Sequence, residues 1–256
     1  MVSRKSPRPW WPVSSARYVY AIVRRNTPLP PVGGAAELVL VPWRELAAVT
    51  GRVLDDGGRA TLQAVVRHET IVEAVRLKGP SLPVRFGTVF GDPAAVAAAL
   101  ADRYEPLAAD LDRIGNKVEL SLTALWSAPA WRDERTEGVP ALSRQEKELS
   151  AGARYLYARA AELRRDEAIK ERARVVAEKL DRILGARWAT LGRCVSLAPM
   201  PQVAVRTTYL LDPAKVGDFR TDFEAMRRRV REVRVVLTGP WPPYSFVSQK
   251  TPSNEE

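Results

Sequence analysis

The stretch Leu82-Pro83-Val84-Arg85-Phe86-Gly87-Thr88-Val89-Phe90 lies between two turn signals, Gly79-Pro80 and Gly91-Asp92-Pro93. Its valines and phenylalanines read as one buried strand, the element on which an α/β unit is assembled. Arg85 interrupts the apolar run. An unpaired guanidinium inside a buried strand is costly, so Arg85 either marks an edge where the strand meets solvent or finds an acidic partner, and an ion pair with Glu69 or Glu73 of the preceding helical stretch is the expectation.

Upstream, residues 59–78 read as a helix in which Val65, Val72 and Val75 share one face with His68. His68 is the only histidine in the chain, so it cannot share a metal with a second imidazole. Its spacing makes it a packed, hydrogen-bonded core residue. Strands are expected at residues 17–23, 38–41 and 46–53, with residues 1–16 a disordered basic extension. Downstream, Asp92 is an N-cap followed by Pro93 at the first helical position, and one helix carries Val96, Leu100, Tyr104, Leu107, Leu111 and Ile114. Residues 117–126 then alternate, with Val118, Leu120, Leu122 and Ala124 inward and Glu119 on the opposite face.

Proline, glycine and charge dominate residues 127–140, which read as a linker between a first domain (17–126) and a second (141–238). The second opens with a long helix to about residue 184. Leu149, Ala153, Leu156, Ala160 and Leu163 form a stripe that belongs inside the domain, and Ile169, Ala173, Val176, Leu180 and Ile183 form another one position out of phase. That offset predicts a break near Arg165-Asp166, and Gly185 is the expected stop. Strands at 186–197 and 203–211 around a turn at 198–201, a helix opened by Asp212-Pro213 and a strand at 233–237 complete an α-β-β-α-β order. The fold class is α+β, two α/β domains with a long helical segment between them, the second ferredoxin-like with its first strand missing or displaced. Residues 239–256 form an extended tail whose Pro240, Trp241, Pro242, Tyr244 and Phe246 need a surface to pack on.

At 256 residues with 46% apolar and 27% charged side chains, the chain has the composition of a globular protein. No run of 18 apolar residues and no signal-peptide core occurs, so no membrane contact is expected and the cytoplasm is the expected location. One cysteine, Cys194, cannot form an internal disulfide and reads as a small buried residue. The net charge of +10 is spread over both halves, and its densest cluster, Arg227-Arg228-Arg229 with Arg231 and Arg234, sits at a helix end that favours cations. Phosphate-binding loops, nucleophile elbows and zinc-protease motifs are absent. A pairing of His68 with Cys194 would need two distant segments to meet, and no other pattern supports catalysis. Neither an enzyme nor a cofactor or metal site is expected.

Several stretches together resemble the gas vesicle protein F/L family. They are Tyr18-Val19-Tyr20-Ala21-Ile22-Val23, the helix with His68, the stretch Leu82 to Phe90, Val118-Glu119-Leu120, and Gly239-Pro240-Trp241-Pro242-Pro243-Tyr244-Ser245-Phe246. The resemblance implies an accessory protein of gas vesicle formation, a minor component or assembly factor that contacts the apolar shell-forming subunit and other accessory proteins. It marks His68, Pro83, Arg85, Phe86, Gly87, Glu119, Pro240, Trp241, Pro242, Tyr244 and Phe246 as structural or interaction residues. The basic extension has no counterpart in that pattern. The competing expectation is a basic two-domain nucleic-acid binder, against which stands the lack of any basic-aromatic run on the expected strands.

Overall fold

The computed structural model describes residues 15–31, 37–53, 60–126, 150–188, 193–196 and 203–248. The expected linker at 127–140, the turn at 198–201 and the extension up to residue 14 lie outside them, as does the side chain of Cys194. The Ser15 hydroxyl donates to the Gly91 carbonyl at 3.0 Å, and Ala16 is buried. The chain divides into two compact units, and the division differs from the expected one. Residues up to Val118 together with those from Trp241 form the first unit, and Glu119–Pro240 the second.

The first unit is built on strand β1 (Arg17–Arg24). It pairs antiparallel with β3 (Leu46–Arg52), and β3 pairs with β2 (Val39–Trp43). The β2–β3 hairpin turns through Arg44 at φ 51. A bulge between Val19 and Ala21 lets Tyr18, Tyr20, Ala21 and Val23 all reach one core cluster, with Ala47, Val49, Ile71, Val72 and Val75. Burial of β1 from Tyr18 to Val23 without alternation is the mark of a strand covered on both faces.

The opposite edge of β1 corrects the first sequence expectation. Leu82 to Phe90 is not one strand but two, β4 (Ser81–Pro83) and β5 (Val89–Phe90). Both pair antiparallel with β1, in registers that sum to 104 (Ala21 with Pro83) and 107 (Tyr18 with Val89). The three extra residues are looped out around Arg85, Phe86 and Gly87, and the loop closes where Thr88 donates its N–H (3.3 Å) and hydroxyl (2.8 Å) to the Arg85 carbonyl. Gly87 sits at φ +83, where a side chain is strained. Arg85, looped out, is exposed, and neither expected carboxylate meets it. Glu73 is bidentate on Arg76, at 2.6 and 2.7 Å, and Glu69 accepts from Tyr244.

Helix α1 (Leu62–Arg76) is capped by Thr61, whose hydroxyl accepts from the Ala64 N–H. Its buried residues are His68, Ile71, Val72 and Val75; Val65, expected on that face, is exposed. Asp92 caps α2 (Pro93–Asp102) as expected, its carboxylate accepting from Ala95 at 2.7 Å. The single expected helix is split at Arg103, and α3 (Tyr104–Ile114) follows. Val96, Leu100, Leu107, Leu111 and Ile114 are buried and Tyr104 only half so, as it sits at the break.

Strand β6 (Val118–Trp126) shows the expected alternation from Leu120 onward, but Glu119 is buried as well. Its sheet is the second one, ordered β7-β8-β6-β9, with β7 (Arg193–Ser196), β8 (Val203–Leu211) and β9 (Val233–Trp241). Helix α4 (Ala151–Leu180) lies between β6 and β7, and α5 (Val216–Arg229) between β8 and β9. The second unit therefore runs β-α-β-β-α-β, and β6 is the first strand that the sequence reading had assigned to the other domain.

Helix α4 corrects further expectations. Its backbone is helical through residues 165 and 166, where a break was expected. The helix changes only later, in a π-helical turn at Asp181–Gly185, after which helix resumes over Ala186–Trp188, where a strand had been read. Consequently Leu184, not Ile183, joins Ala173, Val176, Leu180 and Trp188 in the core. The earlier stripe is not core: Leu156 is 67% and Leu163 51% exposed. β9 also runs on through Gly239-Pro240 to Trp241, tolerated because it is the end strand of the sheet.

Candidate functional site

The sequence motifs converge in the first unit on His68. Burial needs a polar ring to be satisfied at both nitrogens, and the fold supplies one tyrosine to each. The Tyr18 hydroxyl lies 2.9 Å from Nδ1 and the Tyr244 hydroxyl 3.2 Å from Nε2. Tyr18 also accepts the Gly87 N–H at 2.8 Å, and Tyr244 donates to Glu69 Oε2 at 3.2 Å. These contacts fix the protons. With its own proton committed to the Glu69 carboxylate, Tyr244 must accept from Nε2–H; Nδ1 is then the acceptor for the Tyr18 O–H. One relay thus runs Gly87 N–H, Tyr18, His68, Tyr244, Glu69, each group donating to the next.

Electrostatics agree with a neutral ring. Burial lowers the His68 pKa from its ordinary 6.5, partly offset by the nearby Val84 backbone. Burial raises that of Glu69, against the Tyr244 hydrogen bond, and the neighbouring Glu73 charge adds to the rise. Tyr244 is held well above the usual phenol range by burial and the Glu69 charge. Phe86 stands edge-on to His68 at 5.6 Å and to Tyr18 at 6.2 Å, so the looped-out residues lid the imidazole.

The closing segment is tied down along its length. Pro242 and Pro243 are buried, and Tyr244–Phe246 make one 3-10 turn. Beyond Tyr244, the Phe246 carbonyl accepts from Arg113 at 2.9 Å and the Ser248 carbonyl from Arg103. The Ser248 N–H donates to Asp110 at 2.6 Å, a carboxylate 3% exposed that also pairs with Arg113 at 2.6 Å. Between this segment, the looped-out turn and α3 lies a groove of about 360 Å³, lined among others by Pro83, Val84, Arg85, Arg103, Tyr244 and Val247.

Of the residues singled out in the sequence, His68, Phe86, Gly87 and Tyr244 meet in the relay or its lid, and Pro83 and Arg85 line the groove. Glu119 is in the second unit, Pro240 follows a cis peptide bond in β9, and Trp241 is 44% exposed. Sequence reasoning missed Arg103, Asp110, Arg113 and Ser248, and it read Tyr18 only as part of a strand and Glu69 only as a partner for Arg85. Two tyrosines at alternate positions of a buried strand were the available signal, since a buried phenol needs a partner. Among the described residues, no group of three or more His, Cys, Asp or Glu side chains is placed to hold a metal, and no helix is long and apolar enough to cross a membrane.

The family described as "Gas vesicle synthesis protein GvpL/GvpF" matches residues 16–248, from the first strand to the last tied residue. The chain belongs to that family. It is 28% identical to gas vesicle protein L of Streptomyces sp. (strain CB03234) over 90% of this chain and 92% of that protein. With gas vesicle protein L2 of Halobacterium salinarum it shares 26% over 91% and 92%. Its fold is similar to the crystal structure of GvpF from Microcystis aeruginosa, with a TM-score of 0.66 at 18% identity over 92% of this chain and all of that one. None of these relatives favours the nucleic-acid reading. The family match also accounts for the sequence resemblance, including the closing segment.

Proposed function

We propose that the chain is a non-catalytic accessory factor of gas vesicle formation that engages the apolar shell-forming subunit, and other accessory proteins, through the first unit. It acts in the cytoplasm, at the growing vesicle. The observation that carries this is the groove finished by the closing segment. Pro83, Val84, Leu107 and Val247 give it apolar walls, and Arg85 and Arg103 give it a basic rim. A shell-forming subunit exposes apolar surface before it assembles, and a groove of this make-up covers such a segment reversibly. In this reading His68, Phe86, Gly87, Tyr244 and Phe246 hold the groove in shape, while Pro83 and Arg85 touch the partner. The second unit is a ferredoxin-like fold, a reading supported by its β-α-β-β-α-β order and its sheet order β7-β8-β6-β9.

The test is co-purification of the shell protein with the tagged full chain from cells making both. Arg85→Glu and Val247→Glu alter the groove without touching the relay and should each reduce recovery of the shell protein. Undiminished recovery with both variants would remove the groove from the reading. Salt-sensitive recovery of nucleic acid without shell protein would overturn the function itself.

A further inference from the structure

The second unit carries a groove that nothing above has used. It is about 520 Å³ in volume and runs between α5 and β9. β9 ends the second sheet: β6 pairs with one of its edges, and among the described residues no strand pairs with the other. Arg234 to Leu237 line the groove consecutively, so the strand presents its edge as well as its side chains. The opposite wall is a helix face of Arg220, Phe223, Glu224 and Arg227, residues spaced three and four apart.

Charge decides what fits. Arg220, Arg227 and Arg234 are all exposed. Arg220 donates to the Gly239 carbonyl at 3.0 Å, Arg227 reaches Glu224 only at 3.5 Å, and Arg234 has no ion pair among the described residues. The floor is apolar, with Phe223 and Val235 buried. An open strand edge asks for a partner backbone, and Arg220 and Arg227 on the α5 side take carboxylates from its alternate positions, while Arg234, between buried Val233 and Val235, faces the other side of the sheet. A second copy of this chain does not fit, since pairing β9 with β9 would set arginines against arginines. Nucleic acid fits poorly too: it offers no strand backbone, no aromatic ring stands free in the groove, and Glu224 would face the phosphates.

We propose that the α5–β9 groove is a binding site for an extended acidic segment of a partner protein, which adds a strand to β9 and places alternate carboxylates on Arg220 and Arg227. The probe is the fluorescein-labelled peptide acetyl-Glu-Val-Glu-Val-Glu-amide, titrated into the full chain and followed by anisotropy. Saturable binding is expected, weakened by salt. Arg220→Glu with Arg227→Glu should lower the affinity roughly ten-fold or more while leaving the circular dichroism spectrum unchanged, and should admit acetyl-Lys-Val-Lys-Val-Lys-amide in its place. The same acidic peptide with alternate backbone nitrogens methylated keeps its charge but cannot pair with a strand, and it should not bind. Equal binding of the methylated peptide, no binding of the parent, or indifference to the double reversal each overturns the proposal. So does tighter binding of a twelve-residue oligothymidylate that the peptide cannot displace.

Discussion

Replacing Tyr18 by Phe removes one oxygen and strands two groups. The Gly87 N–H loses its acceptor at 2.8 Å and His68 Nδ1 loses its donor at 2.9 Å, with Tyr18 8% and His68 4% exposed. A buried polar group without a partner costs about 1–3 kcal/mol; Nδ1 is buried, but Gly87 is exposed and its N–H can turn to water, so the loss is about 2 kcal/mol. Tyr244→Phe strands Nε2–H and one Glu69 oxygen at a half-buried site, for about 1.5 kcal/mol. Because both tyrosines act through one imidazole, the ring can change tautomer once the first is gone. The double variant should then fall short of the sum by about 1 kcal/mol. A chain of two units need not unfold in one step, so the measurement should be local: amide exchange of peptides from α1, Leu62–Arg76. At 1.4 kcal/mol per factor of ten, exchange there should rise about 30-fold for Tyr18→Phe and about ten-fold for Tyr244→Phe. Less than a two-fold rise for Tyr18→Phe, or strictly additive losses, would refute the relay.

The other expectations concern the same unit. His68 has a folded pKa below its ordinary 6.5, so the unfolded chain binds the proton more readily and stability falls as pH drops below about 6.5; α1 exchange, corrected for the intrinsic rate, should be faster at pH 6 than at 7.5, and His68→Gln should flatten the difference. Glu69, raised above 4.5, acts in the opposite direction. Arg85→Ala, at an exposed turn, should change stability by less than about 0.5 kcal/mol, and a cost near 3 kcal/mol in thermal melts would restore the buried ion pair expected from sequence. Gly87→Ala should cost about 1–2 kcal/mol because of its φ of +83, measured by the same exchange in α1 and β5. A chain ending at Trp241 keeps β9 whole but loses every tie of the closing segment, and should expose α1 and α3 to exchange, whereas one ending at Ser248 should not.

What could be read from the sequence were the features that depend on local chemistry. Asp92-Pro93 announces its helix through a cap and a fixed φ, and β1 through aromatic and β-branched density. The need of Tyr244 and the prolines for a surface was likewise legible, since so apolar a segment gains by packing. What failed were readings in which position along the chain stood in for position in space. Leu82 to Phe90 looked like one strand because pattern cannot count how many residues face its partner; Gly87 was the warning, and it sits in the loop that breaks the strand. Arg85 then inherited a false burial. β6 looked like the end of the first domain because it follows α3, yet its hydrogen bonds go to β8 and β9. A leucine stripe on α4 promised a core, but amphipathic spacing says only that a face could be covered.

The division of the chain places the whole second unit, Glu119–Pro240, as an insertion between two pieces of the first. During synthesis the second unit is complete in sequence before Tyr244 is made. Until then His68 Nε2–H and the Glu69 carboxylate face an empty seat, and Asp110 waits for the Ser248 N–H. The first unit therefore begins folding early and finishes late, and the groove at its edge comes into being only with residues 242–248. Translation order makes the closing segment a completion signal: an incomplete chain carries no finished groove to occupy.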